Sequence, residues 1–407
     1  MTLSAPATPP APHSHAPQAA RLRVLVAGGG IGGLAAALAC ARSGCAVQVH
    51  EQAAAFTEVG AGVQLGPNVT RRLQAWGLGE ALARASAQPQ RLVVRSALHG
   101  GVLAQRALGD AMQRAYGAPY LTVHRAALHQ LLRQAVQAHP GVGLSTGSAV
   151  HDLGQHPADI AIAADGLWSA LRRAVVDSDT APVPTGHLAY RALMPQQALP
   201  EPLRSDDVTV WLGPRLHAVR YPVRDPSSGE LATNLALVLH AQDVDAAALP
   251  AAEASRWDHA VREGEWQRAV AAAHASLRQV LDAMPRWQRW ALHDRAPLHS
   301  AAQMARGRVA LLGDAAHPMR PYLAQGAGMA IEDAYELERC LRLSGLTPEQ
   351  QLQRYAQARW ARNAQVQARS LRNGRIFHAT GVVRLGRDLG LRLLGERLLD
   401  QPWLYRG

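Results

Sequence analysis

Lysine is absent from the 407 residues, phenylalanine occurs twice and cysteine three times. All 42 basic residues are therefore arginine, scattered without a basic run, so the formal charge of +11 marks no nucleic-acid-binding patch. With alanine abundant, the skew reads as a bias of the coding DNA. Cys40, Cys45 and Cys340 form neither a CxxC pair nor an even set. That excludes a disulfide scaffold and points to free thiols in a reducing cytoplasm. No stretch approaches the ~20 consecutive apolar residues of a bilayer span, so a soluble protein with no membrane partner is expected. Residues 1–20 have neither a cationic start nor an apolar h-region and read as a disordered Pro/Ala tail rather than a secretory signal. Two imidazoles on such a tail, His13 and His15, make a poor metal site, and no metal is expected elsewhere.

What is present is enough chain for two to three domains at roughly 150 residues each. From Arg21, RLRVLVAGGGIGGLAAALACARSGCAVQVHE passes from a β-branched run through glycines into an alanine/leucine helix and a second strand. Gly28, Gly30 and Gly33 satisfy G-x-G-x-x-G in the context that gives the motif meaning. Gly28 permits the tight turn, Gly30 lets backbone N–H groups approach a pyrophosphate, and Gly33 lets the helix lie on the strand. Glu51 ends the next strand where a carboxylate accepts from an adenosine ribose and repels a 2′-phosphate, which suits FAD or NAD better than NADP.

Further along, 91–104 and 208–240 alternate like strands, 124–138 reads as a helix, and 159–173 reads as strand, turn and helix. The stretch 253–290, with four tryptophans, reads as helix, and the chain after Thr347 as amphipathic helix. VALLGD closes a strand at Gly313 and Asp314, and a loop leads to a helix opening at Gly326, Ala327, Gly328 and Met329. Asp314 is placed to accept from ribityl or ribose hydroxyls, and backbone donors at 326–329 to stabilise negative charge on a reduced flavin. His217 and Tyr221 are four apart, so both project from one face of a strand. A packed tyrosine and an edge-strand histidine are the alternative.

GGGIGG with Glu51, ADGLWSALR with Asp165, Gly166, Ser169 and Arg172, and GDAAHP…P…QG…ED from Gly313 to Asp333 together resemble the single-component FAD-dependent aromatic hydroxylases, of the p-hydroxybenzoate hydroxylase type. The chain looks most like members that hydroxylate 3-hydroxybenzoate, 6-hydroxynicotinate and salicylate. The resemblance implies an α/β fold in which a Rossmann-like FAD-binding domain is interleaved with a β-sheet substrate domain and followed by C-terminal helices. The expected division is 21–185 for FAD, with a substrate-domain excursion near 85–118, then 186–295 for substrate, 296–346 for FAD and 347–407 for helices. It further implies resident FAD, transient NAD(P)H, O2 and a small aromatic acid as partners, and oxygen transfer through a flavin C4a-hydroperoxide.

Carried over by position, Asp314 and Arg125 contact FAD, Asp165 serves FAD and NAD(P)H, and Pro321 lies beside the flavin edge. His217 and Tyr221 meet the substrate, with His217 near neutrality as proton acceptor. Arg125 as a surface residue and Asp165 as a helix cap are the alternatives, and His317 reads as structural. The sequence departs from the pattern at Tyr322 and Gln64, where the hydroxynicotinate type has histidines, at Gln52 after Glu51, and in a shortened 142–159 segment. A flavin monooxygenase acting on a non-benzenoid substrate, or a non-catalytic flavin-binding protein, are the competing readings. The oligomeric state is left open, a homodimer included.

Overall fold

The computed structural model describes residues 21–56, 62–177, 179–245 and 259–407. The tail with His13 and His15, residues 57–61 of the glycine-rich loop and the first part of the 253–290 stretch lie outside them. One sheet has six strands in the order Ala305–Arg306, Val309–Leu311, Ile160–Ala163, Arg23–Ala27, Ala46–His50 and Val142–Ser145. All neighbours are parallel except the first pair. Its central strands, RVLVA and IAIA, are apolar almost throughout because helices cover both faces of a parallel sheet.

Helix Ile31–Arg42 packs against this sheet and between helices Arg125–Gln137 and Gly326–Leu341. Four of its alanines, Ala35, Ala36, Ala37 and Ala39, are fully buried. Small side chains let three helices approach closely around one strand layer. Gly30 is its N-cap and makes no side-chain bond, so the first-turn N–H groups stay open at the end of strand Arg23–Ala27.

The second sheet has eight strands in the order His259–Ala260, Gln288–Asp294, Val183–Pro195, Leu231–His240, Leu216–Arg224, Val208–Gly213, Arg91–Ser96 and Val102–Ala107. It is antiparallel except where Val208–Gly213 runs beside Arg91–Ser96. Strand Val183–Pro195 runs across the division drawn at 185/186. The α/β class expected from sequence is the class the chain adopts.

Two local expectations are corrected. The 253–290 stretch holds short helices at Gln267–Val270 and Ala275–Asp282 and then strand Gln288–Asp294, not one helix. Pro285 bars helical continuation, and Trp290 pairs across to Ala189. After Asp165 there is a 3-10 turn, Leu171–Ala174, in place of an α-helix. The shortened segment supplies edge strand Val142–Ser145, paired with Ala46–His50. A 30-residue helix, Pro348–Phe377, opens with a capping box of Thr347 and Gln350 and Pro348 in its first turn. Among the described residues no helix is long and apolar enough to cross a membrane.

Candidate active site

A cleft of about 310 Å³ lies where the glycine turn, the loop 312–327 and one face of the second sheet meet. Gly30, Arg125, Gly313, Asp314, Gly326 and Ala327 line one side, and His217, Tyr221 and Pro321 another. Gly28, Gly33, Glu51, Asp165, Gly328, Met329 and Tyr322 stand behind this lining, and their contacts explain their positions.

Gly28 has φ +101°, and a Cβ there would sit 2.3 Å from the Ala164 carbonyl oxygen. A Cβ on Gly33 would lie 1.8 Å from the Gly28 carbonyl oxygen. Backbone closeness therefore requires both glycines. A Cβ on Gly30 would meet nothing within 4 Å, so this residue borders open space beside the helix N-terminus. Glu51 accepts from Gly29 N at 2.7 Å through one oxygen and from Ala53 N at 2.8 Å through the other. His129 Nε2 lies 2.7 Å from the Gly29 carbonyl oxygen, a support of the turn that no local pattern announces.

Asp165 Oδ2 accepts from Ala170 N and Leu171 N, so the carboxylate caps the 3-10 turn, while its Oδ1 is buried without a hydrogen-bond partner. Arg172 of the same segment donates to the carbonyls of Ala315 and Ala316 at 2.6 and 2.9 Å, which fixes the loop that carries Asp314. Asp314 is exposed to the cleft, and the surrounding walls desolvate its carboxyl and raise its pKa against the opposing pull of His317 and Arg125. Helix Gly326–Leu341 points its N-terminus at the same space. Met329 is a correction: its N–H donates to the Gln325 carbonyl at 2.8 Å and its side chain is fully buried, so the open donors are those of Gly326, Ala327 and Gly328. A Cβ on Gly328 would lie 2.7 Å from Val69, which ties this position to packing.

Beneath the helix start lies a buried charge network that sequence reading missed. Glu332 receives Arg362, Arg359 and Asn68, and Asp333 receives Arg359 Nε at 2.8 Å, Asn363 Nδ2 at 2.9 Å and His317 Nε2 at 2.5 Å. His317 thus ties its loop to the helix through Asp333. Only the paired ED at the motif's end hinted at this network.

On the opposite wall, Tyr221 donates its hydroxyl to the Gly62 carbonyl at 2.7 Å, and burial pushes its pKa up to about 12. Its ring, not a free hydroxyl, faces the cleft. His217 is buried, with Nδ1 2.8 Å from His378 Nε2. Burial, with the neighbouring His187, lowers its pKa to about 3. The expectation of a histidine near neutrality is therefore corrected: this imidazole is neutral throughout the physiological range. Tyr322 turns away from the lining, its hydroxyl 2.6 Å from His187 Nδ1. Arg191, from strand Val183–Pro195, also lines the cleft and stacks over Trp290 at 4.5 Å. Among the described residues no carboxylate pairs with it. Sequence reading missed it because an arginine on a strand carries no motif.

A glycine-turned parallel sheet joined along a cleft to a large antiparallel sheet defines an α/β flavoprotein. The FAD binding domain family matches residues 21–370, and the chain belongs to that family. It is 37% identical over 405 residues to 3-hydroxybenzoate 6-hydroxylase of Polaromonas naphthalenivorans, covering 95% of this chain and 96% of that protein. It is 35% identical to 6-hydroxynicotinate 3-monooxygenase of Pseudomonas fluorescens, covering 79% and 83%. Among solved structures, a salicylate hydroxylase in complex with its substrate superposes with a TM-score of 0.76 at 26% identity, over 95% and 96% of the two chains. The residues present fit FAD: open space beside Gly30, the Asp314 carboxylate in the cleft and the N–H groups at 326–328 form a run of polar groups along one wall, with the unpartnered Asp165 Oδ1 behind it.

Proposed function

We propose that this FAD-dependent monooxygenase uses NAD(P)H and O2 to hydroxylate a small aromatic acid that carries a ring hydroxyl. Bound FAD supplies the redox chemistry, taking a hydride from NAD(P)H and activating O2. Gly30, Arg125, Asp165 and Asp314 would hold the cofactor, with the N–H groups of Gly326, Ala327 and Gly328 directed at its charge-bearing edge. Glu51, already bonded to the glycine turn, would rigidify that turn and meet the adenosine end.

The observation that carries the substrate reading is the composition of the cleft's far wall. A cation, Arg191, and a neutral imidazole, His217, flank the apolar face of Tyr221 and Trp290. Arg191 would hold the ring carboxylate, Tyr221 would pack the ring, and Pro321 would border the reacting edge. His217 would meet the ring hydroxyl through Nε2, which makes no hydrogen bond among the described residues. With Nδ1 accepting from His378, the neutral ring carries its proton on Nε2, where it donates to the ring oxygen and stabilises the phenolate form, which makes the ring more nucleophilic. Tyr322 would act behind this wall through His187.

The hydroxylating relatives named above support this choice over a non-benzenoid substrate or a non-catalytic flavin binder. The test is NAD(P)H oxidation by the FAD-loaded enzyme across hydroxybenzoates, salicylate and hydroxypyridines, with product masses recorded. One compound should stimulate oxidation and gain one oxygen, and His217→Ala should lower kcat for it by ~10²-fold or more. Oxidation that no aromatic acid accelerates would overturn the reading.

We also propose a homodimer in the cytoplasm. Exposed apolar side chains of helix Gly381–Leu394, among them Val382, Leu385, Leu389 and Leu393, support the assembly. Three free cysteines support the compartment. A monomeric mass by light scattering would retire the dimer.

A further inference from the structure

Strands Val183–Pro195 and Leu231–His240 pair so that His187 stands directly opposite His240, and helix Pro348–Phe377 ends by placing His378 over both. Ligand atoms of the three imidazoles all lie within 4.8 Å of one another. His240 Nε2 is 3.2 Å from His187 Nε2 and 3.1 Å from His378 Nδ1. A tetrahedral zinc ion with Zn–N bonds of about 2.0–2.1 Å sets its nitrogen ligands roughly 3.3 Å apart.

Hydrogen bonding alone does not account for this convergence. In neutral imidazole each ring nitrogen holds either one proton or one lone pair. His240 Nε2 faces two nitrogens at once, so one proton or one lone pair must be shared between both neighbours. A cation at the centre would accept a lone pair from each. Two of the three outward nitrogens are already provided for: His187 Nδ1 lies 2.6 Å from the Tyr322 hydroxyl, and His378 Nε2 lies 2.8 Å from His217 Nδ1. Metal-binding histidines are held in this way, with the second ring nitrogen on a fixed partner. His187 and His240 are half-buried, so solvent reaches the site, while His378 is buried behind them.

We propose that His187, His240 and His378 bind one divalent cation of the zinc class, with the fourth position open to water or a small anion. Imidazole ligands without thiolate or multiple carboxylates select zinc, copper or nickel over magnesium or calcium. A cation on His378 Nδ1 leaves that ring's proton on Nε2, where it donates to His217 Nδ1. The site would thereby set the tautomer of the imidazole at the substrate cleft and pin the end of the long helix to the second sheet.

The test is Zn²⁺ titration of the chelator-stripped, FAD-loaded full chain against a chromophoric zinc indicator. One Zn²⁺ per chain should bind, and His240→Ala and His187→Ala should each weaken it by at least tenfold. A His13→Ala/His15→Ala variant should bind as the parent does, which separates this site from the tail. Co²⁺ in place of Zn²⁺ should give the intense visible bands of tetrahedral coordination, absent in His240→Ala. Folding of the variants is checked by FAD content and Tm without metal. Failure to bind, binding unchanged in a variant that retains FAD, or binding lost with the tail histidines would each overturn the proposal. Because the readout is metal binding, it is independent of which ring the enzyme hydroxylates.

Discussion

Arg191 and His217 stand on adjacent parts of one wall, yet their charges behave differently. Burial and the nearby Arg125 lower the pKa of Arg191, while Tyr221 opposes them. Even so, an arginine remains a cation at neutral pH. Without a carboxylate partner among the described residues, it gains most when an anion enters the cleft. A hydrogen bond to a charged group contributes ~1.5–3 kcal/mol. Arg191→Gln should therefore raise KM for the aromatic acid by about tenfold to a hundredfold, with kcat reduced much less and FAD content unchanged. Arg191→Lys should recover part of the loss. Steady-state kinetics on the stimulating acid and on its amide decide the matter: equal losses on both would show that Arg191 shapes the cleft without pairing the carboxylate.

The helix Gly326–Leu341 does two jobs, and only one is written locally. Its N-terminal glycines, the preceding GD pair and the GGGIGG turn were legible in sequence because each works within a few residues of backbone. The partners Arg359, Arg362 and Asn363 lie on the following helix, 26 to 30 positions away, and Asn68 lies 264 away, so no spacing rule marks them. Arg191, which faces Trp290 across 99 positions, and His378, which meets His217 across 161, escaped for the same reason. The end of the 253–290 stretch was misread because Trp290 fits a helix pattern locally while its pairing with strand Val183–Pro195 decides its state. Glu332 shows what the helix pairing is worth. Burial pushes its pKa up, but the guanidinium groups of Arg362, Arg359 and Arg72 outweigh that effect and hold it at about 2. A carboxylate lowered in the folded state stabilises fully above its ordinary value of 4.5, and this stabilisation is lost as pH falls toward 2. Glu332→Gln should cost ~3–5 kcal/mol at pH 7, as expected when a buried ion pair loses one member. The variant's stability should also fall less steeply between pH 4.5 and 2.5, measured by urea unfolding across that range.

At the scale of the whole molecule, the C-terminal end closes a ring of contacts around the cleft. Leu404 and Tyr405 are buried in a cluster with Tyr221 of the second sheet, Met329 of helix Gly326–Leu341 and Val366 of the long helix. Arg362, already on Glu332, also donates to the carbonyls of Trp403 and Leu404 at 3.1 and 3.0 Å. Arg71 donates to the Arg406 carbonyl at 3.0 Å and to the Tyr116 carbonyl at 2.6 Å. The last turn thus connects the helix that carries the open N–H groups at 326–328 with the wall that carries Tyr221. Removing a buried leucine costs ~2–5 kcal/mol and a large aromatic about as much. Truncation after Gln401 should lower stability by about 4 kcal/mol or more, reduce retained FAD and raise KM for the acid together, since both walls lose their shared packing. A calorimetric scan should show a lower Tm in a single transition. Loss of substrate affinity with Tm and FAD content intact would mean that the end of the chain shapes only the substrate side, and that its contacts with Arg362 and Met329 add little to stability.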